Sequence, residues 1–347
     1  MHSTPATPAE VDGADPVLLH DWHPLAAAAA LPAGASRAAK LLGHELVVWR
    51  TADGAVHAAA DRCPHRGTRL SLGRVDGATL ACAYHGWRYA GGGQCVHIPA
   101  HPELIPPQSA HLTMHHARER HGLVWVCVGE PRGEVLPFPE TADARLRKVV
   151  CGPYAVEASG PRIVENFLDM AHFPFVHAGI LGEEPRNEVR DYAVERFDDG
   201  EGGAGIRATG CFFWQPQTNS LAHGGCEVEY TYRVVRPLTA ILTKVPDAGG
   251  AFHEAISLHV QPVAEESSIV WIVLALTNFE QDEETLRAFQ DRIFLQDKPI
   301  LENQVPKRLP LERRAEIPVR ADRLSLAYRD YLRQSGLRHG VIAARVP

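Results

Sequence analysis

Residues 61 to 89 read DRCPHRGTRLSLGRVDGATLACAYHGWRY, and two ligand pairs stand out in them: Cys63 with His65, then, after sixteen residues, Cys82 with His85. Each loop offers one thiolate and one imidazole, so together they make a four-donor site. Mixed ligation of this kind suits zinc or a two-iron, two-sulfur centre. In one form of the latter, two imidazoles replace two thiolates on one iron. Zinc fingers usually pair Cys with Cys and His with His in sequence. The alternation here lets one iron take both thiolates and the other both imidazoles. Gly67 and Gly86 follow the two histidines, as expected where a tight loop must aim backbone N–H groups at sulfur. A structural zinc ion is the competing reading, and acid-labile sulfide separates the two.

Outward from this segment, 347 residues against roughly 150 per domain imply about two domains. A composition of 45% hydrophobic and 22% charged residues is that of a folded globular chain. The formal charge of −7 has the wrong sign for holding nucleic acid through its phosphates. The longest wholly apolar run, Leu25 to Leu31, is seven residues, against roughly 20 for a membrane helix. The N-terminus has no basic segment leading into an apolar one, so it reads as a flexible start with a cytoplasmic chain behind it. Seven cysteines, odd and sparse, argue against a disulfide framework, and nineteen histidines favour metal ligation. Cys95, Cys127, Cys151, Cys211 and Cys226 read as ordinary small residues.

The first half reads as short strands, among them 45–50, 55–60 and 122–129, between Gly, Pro and Asp turns. We expect a flexible start over 1–16, an all-β domain over 17–135 and a catalytic domain over 136–347. The Pro/Gly-rich stretch 129–140 reads as the linker or crossover. The second domain is expected to be α+β, with an antiparallel sheet, strands at 229–236 and 268–276, and helices from Gly160 toward His172, over 282–297 and over 321–335.

That second domain carries a second constellation in PRIVENFLDMAHFPFVHAGILG (Pro161 to Gly182): Asp169, His172 and His177, spaced D-x2-H-x4-H. At about 100° per residue, Asn166, Asp169 and His172 form a row beside the apolar Ile163, Phe167 and Met170. Pro174 is expected to end or kink the helix at Phe173 and let the following loop return His177 beside His172. Two imidazoles and one carboxylate on one side of an iron leave open positions for oxygen and substrate. Asp297 is the carboxylate of choice, because it falls about 20° from Leu286 on the stripe of Leu286, Phe289 and Ile293. Asp291 lies on the outer face by the same count and is expected to be solvated. Asp282 sits at the helix start, where the dipole explains it.

The motifs CPHRG and CAYHGWRY, followed by GGGQCVHIP (Gly91 to Pro99), resemble the Rieske domain of aromatic-ring-hydroxylating oxygenases. Respiratory Rieske proteins carry a further cysteine in each loop, and these loops have none. The resemblance covers nearly the whole chain and is strongest with the shorter homomeric enzymes of the vanillate and dicamba O-demethylase group. It implies an α+β protein, an N-terminal all-β Rieske [2Fe-2S] domain followed by an antiparallel-sheet helix-grip catalytic domain. It also implies a cluster on Cys63, His65, Cys82 and His85, and Fe(II) on His172, His177 and Asp297. Asn166 then matches the asparagine beside that iron. Asp169 matches the aspartate that links an iron-bound histidine to a Rieske histidine, His85 or His65, of a neighbouring subunit in a head-to-tail ring, commonly a trimer.

The implied chemistry is that of a terminal oxygenase. It would use O2 to hydroxylate a small aromatic or heterocyclic substrate, with O- or N-demethylation when the carbon is a methyl group. Cis-dihydroxylation on the same iron ligands is the alternative. A pure electron carrier would need about one domain only. No G-x-G-x-x-G between a strand and a helix and no C-x4-C-x2-C motif occurs, so electrons from NAD(P)H must arrive through a separate reductase, directly or through a ferredoxin. Phe212, Phe213, Trp214, Tyr230, His253 and His259 are candidates for the substrate pocket, and strand alternation points only half of such residues inward.

Overall fold

Short runs of Val, Ile, Leu and Ala between turns build the strands. The computed structural model describes residues 15–198, 204–222, 224–246 and 254–343, in two units divided between Val135 and Leu136. In the first, six antiparallel strands are ordered His23–Ala27, Leu123–Cys127, Met114–Arg120, Val56–Ala60, His44–Arg50 and Ser36–Leu41. A small four-stranded antiparallel sheet follows the order Arg74–Asp76, Thr79–Ala81, Arg88–Ala90 and Cys95–His97. Cys63 and Cys82 are buried in one core cluster with Trp49, Leu70, Leu80 and Tyr89. The two ligand loops are thereby rooted in the core rather than hung on the surface.

One expectation needs correction here. Residues 1–14 lie outside the described residues, but Asp15 and Pro16 are structured: the Asp15 carboxylate accepts from the Val17 N–H at 2.8 Å and caps a short helix, Pro16–Leu19. The stretch 129–140 contains the division between the two units, as read from the sequence, and its residues are anchored. Phe138 is buried, Trp22 Nε1 donates to the Gly133 carbonyl, and Arg120 Nη1 donates to that of Val135.

The second unit is a seven-stranded antiparallel sheet, ordered Arg147–Val156, Ser267–Leu276, Glu254–Ala264, Thr239–Pro246, Cys226–Arg236, Ala204–Gln215 and Ala193–Asp198. Along Cys226–Arg236 the buried side chains alternate, Val228, Tyr230, Tyr232 and Val234, as a pleat facing a core requires. The long helix Glu283–Asn303 packs on Arg147–Val156, helix Gly160–Leu168 on Glu254–Ala264, and helix Arg323–Ser335 on Ala204–Gln215. The long helix begins where expected, with Asp282 as N-cap, and runs six residues past Asp297, through Pro299. Asp291 is not solvated: it is half-buried and accepts from the Tyr154 hydroxyl. No described helix is long and apolar enough to cross a membrane.

Helix Gly160–Leu168 is clamped by charge as well as by packing. Arg329 donates to Glu165 through Nε at 2.6 Å and Nη2 at 2.9 Å, and Nη2 also reaches Glu316 at 2.5 Å. Arg162 contacts both carboxylates, Glu165 at 3.3 Å and Glu316 at 2.5 Å, and donates to the Pro306 carbonyl. Burial pushes the Glu165 carboxyl up, and the Arg329 and Arg162 guanidinium groups pull against it. Removing one member of such a buried network leaves an uncompensated charge. Arg329→Met is therefore expected to destabilise the protein by about 3–5 kcal/mol in urea unfolding. Arg329→Lys should recover little, because a point donor does not replace the planar fork. A loss under about 1 kcal/mol for Arg329→Met, the range of an exposed pair, would show that the clamp is ornamental.

Candidate metal centres and pocket

The two loops of the N-terminal unit repeat one turn. The Gly67 N–H donates to the Cys63 carbonyl at 2.8 Å, and the Gly86 N–H to the Cys82 carbonyl at 3.0 Å. Both glycines sit at positive φ, 75° and 69°, which a side chain disfavours. The turns bring the His65 and His85 rings to 4.6 Å, and Trp87 stacks on His65 at 4.3 Å. The Tyr89 hydroxyl lies 3.1 Å from Cys63 Sγ. Burial pushes the Cys82 thiol up, while the N–H groups of Tyr84 and His85 act the other way. Among the described residues, His65 Nδ1 is buried with no hydrogen-bond partner. A buried, unpartnered imidazole nitrogen beside a second histidine and two buried thiols is the donor set that a Rieske cluster requires, and it fits.

In the second unit the break in the chain after Leu168 makes the site. Ser159 Oγ and Pro161 start helix Gly160–Leu168, and Asp169 ends it in an extended conformation, φ −85° and ψ 130°. One Asp169 carboxylate oxygen accepts from the Ala171 N–H at 2.8 Å, and the other lies 3.3 Å from His172 Nδ1. A second, one-turn helix then runs Phe173–Val176, with His177 at its end. The break thus comes four residues before the expected one at Phe173. Pro174 does not cause it, because a proline in the first turn of a helix needs no N–H partner. The row Asn166, Asp169, His172 is consequently not a helical row, yet Asn166 and His172 still converge.

They converge on Asp297. Its Oδ1 lies 3.4 Å from His172 Nε2, 3.2 Å from His177 Nε2 and 3.3 Å from Asn166 Nδ2, which donates to it. The three potential ligand atoms of His172, His177 and Asp297 all lie within 4.8 Å of one another. The other imidazole nitrogens are occupied: His172 Nδ1 by Asp169, and His177 Nδ1 by Gln296 Oε1 at 3.0 Å. Each ring is thereby set to offer Nε2 to the same point. Such outer hydrogen bonds are how proteins orient metal-binding histidines. Two imidazoles converging on a buried carboxylate fit a divalent metal. Sequence pattern does not single out Gln296, since it lies about 100° from Asp297 around the helix and off the apolar stripe.

A cavity opens beside the triad, walled by Leu258, Ile272, Leu274, Ile293 and Phe294, with Asn166, Lys244, Glu254 and Gln290 among its polar groups. Tyr230 lines it. Phe212, Trp214 and His259, expected as pocket candidates, do not. Beyond the register shift in Ala204–Gln215 the buried residues are Cys211, Phe213 and Gln215, so Phe212 and Trp214 point the other way and carry Arg190 and Arg186 over their rings. His259 is buried among Ser257 and Thr239, on the face opposite to Ile256 and Leu258. His253 lies outside the described residues.

The Rieske [2Fe-2S] domain matches residues 21–110, and the vanillate O-demethylase oxygenase C-terminal domain matches residues 156–337. A probable methylxanthine N7-demethylase, NdmC of Pseudomonas sp. (strain TJI-51), is 46% identical over 220 residues, 63% of this chain and 77% of that protein. Methylxanthine N1-demethylase NdmA of Pseudomonas putida is 31% identical over 327 residues, 91% of this chain and 89% of that one. The solved structure of NdmA with caffeine superposes with a TM-score of 0.78 at 30% identity, over 91% of this chain and 90% of that chain. With both domains and the full-length likeness in agreement, this chain belongs to the Rieske non-haem iron oxygenases: a terminal oxygenase component that uses a [2Fe-2S] cluster, a mononuclear iron, O2 and electrons from NAD(P)H delivered by a separate reductase.

Proposed function

We propose that this oxygenase removes an N-methyl group from a methylated, oxygenated heterocycle of the xanthine type. The observation that carries the proposal is full-length likeness to methylxanthine demethylases, joined to a convergent His172, His177 and Asp297 beside a largely apolar cavity. In the balanced reaction the N-methyl group of the ring, O2, two electrons and two protons give the N-hydroxymethyl group and water. This carbinolamine then loses formaldehyde and leaves the ring N–H.

In this proposal Cys63, His65, Cys82 and His85 hold the cluster, and His172, His177 and Asp297 hold the iron. When bound, the iron supplies oxygen activation and the cluster supplies electrons one at a time. The chain's own residues supply the geometry. His172 donates its Nδ1–H to Asp169 and His177 donates its own to Gln296, which leaves both Nε2 lone pairs facing Asp297. Asn166 donates to Asp297 and fixes the carboxylate's orientation. The apolar wall excludes water and holds the ring by its faces.

We further place the chain in a head-to-tail homotrimer, in which Asp169 joins His172 to the His85 or His65 of a neighbour. Asp169 suits that role because its side chain is 33% exposed while its carboxylate already engages His172. The reductase reaches the cluster directly or through a ferredoxin. The proposed location is the cytoplasm, a reducing compartment that accords with seven cysteines outside any disulfide.

Three measurements test this. Asp297→Ala should lose the mononuclear iron while the cluster absorption spectrum stays intact, and full iron retention with turnover would remove Asp297 from the site. Asp169→Asn should keep both metals yet lower single-turnover product formation at least about tenfold, the scale of lost outer hydrogen bonds at metal sites; unimpaired single turnover would contradict the bridging role. With a surrogate reductase and methylxanthines, formaldehyde should appear in step with the demethylated ring. Two labelled oxygens entering one ring under 18O2 would instead establish cis-dihydroxylation.

A further inference from the structure

Across the pocket face of the large sheet, side chains stand in rows set by the strand register. One row runs Tyr232, Leu242, Ile256, Leu274, and the next Ala240, Leu258, Ile272. A third runs Tyr230, Lys244, Glu254. Two charged residues therefore occupy positions that aliphatic ones fill in the neighbouring rows. Lys244 and Glu254 are 4% and 7% exposed, and both line the cavity. Lys244 Nζ donates to the Thr218 carbonyl and lies 3.5 Å from Glu254 Oε2. Neither charge is needed to complete the sheet, because a buried ion pair is on balance no more stabilising than well-packed apolar groups. Burial pushes the Glu254 carboxyl up, with Lys244 acting against it, so the carboxylate sits in an apolar setting where a further donor is favourable.

We infer that Lys244 and Glu254 form the polar recognition edge of the substrate pocket, binding the adjacent C=O and N–H of a lactam or imide ring. Lys244 donates to the carbonyl and Glu254 accepts from the ring N–H, each through a charge-assisted hydrogen bond. A donor and an acceptor 3.5 Å apart on neighbouring strands match a ring edge that offers an acceptor and a donor side by side. The pair has no net charge, so a neutral heterocycle suits it. An aromatic carboxylate meets Glu254 as a like charge.

This inference rests on the N-demethylase reading and deepens it, and the test separates the two. The holoenzyme is titrated calorimetrically with three probes. One is 3,7-dimethylxanthine, whose N1–H lies between two carbonyls. The second is 1,3,7-trimethylxanthine, which has a methyl there, and the third is 4-hydroxy-3-methoxybenzoate. The first should bind at least about tenfold more tightly than the second, since sites built to bond an N–H reject analogues that lack it. Lys244→Met/Glu254→Met, which removes both charges together, should reduce that preference to under about threefold. Glu254→Gln keeps the shape and serves if the double variant is unstable; it should cut the preference at least about threefold through the lost charge assistance. Equal binding of the two xanthines by the wild type, a preference unchanged in the variants, or tightest binding of the benzoate overturns the inference. Formaldehyde release is recorded in parallel. Its absence with every methylxanthine, alongside an intact N–H preference, overturns the N-demethylase reading and leaves the recognition edge standing.

Discussion

The catalytic unit depends on a carboxylate that stops a helix. Asp169 takes the Ala171 N–H on one oxygen and faces His172 Nδ1 with the other, so the same side chain turns the backbone and aims the ring. Without the turn, a continuous helix would carry His177 to a different side from His172. With it, both imidazoles arrive at Asp297 from one segment, and the long helix has to contribute only one carboxylate. The Arg162, Glu165, Arg329 and Glu316 clamp sits on the helix that Asp169 terminates and fixes its end against the rest of the unit. A stabilising network and the site geometry are therefore joined within nine residues of helix.

The cluster loops solve the same problem with backbone instead of side chain. Two turns of the same form, each closed by a glycine N–H, present a thiol inward and a histidine outward. The thiols belong to the core, which keeps water from the sulfur side. The histidines lie toward the surface, with Tyr84 and Trp87 against their rings. Burial and exposure are thus divided within each short Cys/His loop.

Much of this was legible in the chain. The two Cys/His pairs were readable because each is local, and local spacing survives folding. Asp297 was readable because an acidic residue on an apolar stripe needs a partner. The break at Asp169 was not, because it rests on a side-chain hydrogen bond, whereas sequence pattern points to proline. A helical wheel turns Asp291 toward solvent, but Tyr154 from the first strand of the sheet meets it there, a contact that helix periodicity does not contain. The pocket residues on Ala204–Gln215 were ambiguous for a similar reason. A register shift between Ala208 and Cys211 resets the alternation, so counting from one end of the strand misassigns the other.

The rows on the sheet carry a consequence for how such an enzyme changes its diet. Successive residues of Glu254–Ala264 serve different masters: Ile256 and Leu258 shape the cavity, while Ser257 and His259 bond to each other on the far face. Substitutions at the even-numbered positions can therefore remodel the cavity without disturbing the hydrogen bonds behind it or the ladder between strands. Substrate range and structural integrity are written on alternate letters of the same strand, so selection can edit one while leaving the other in place.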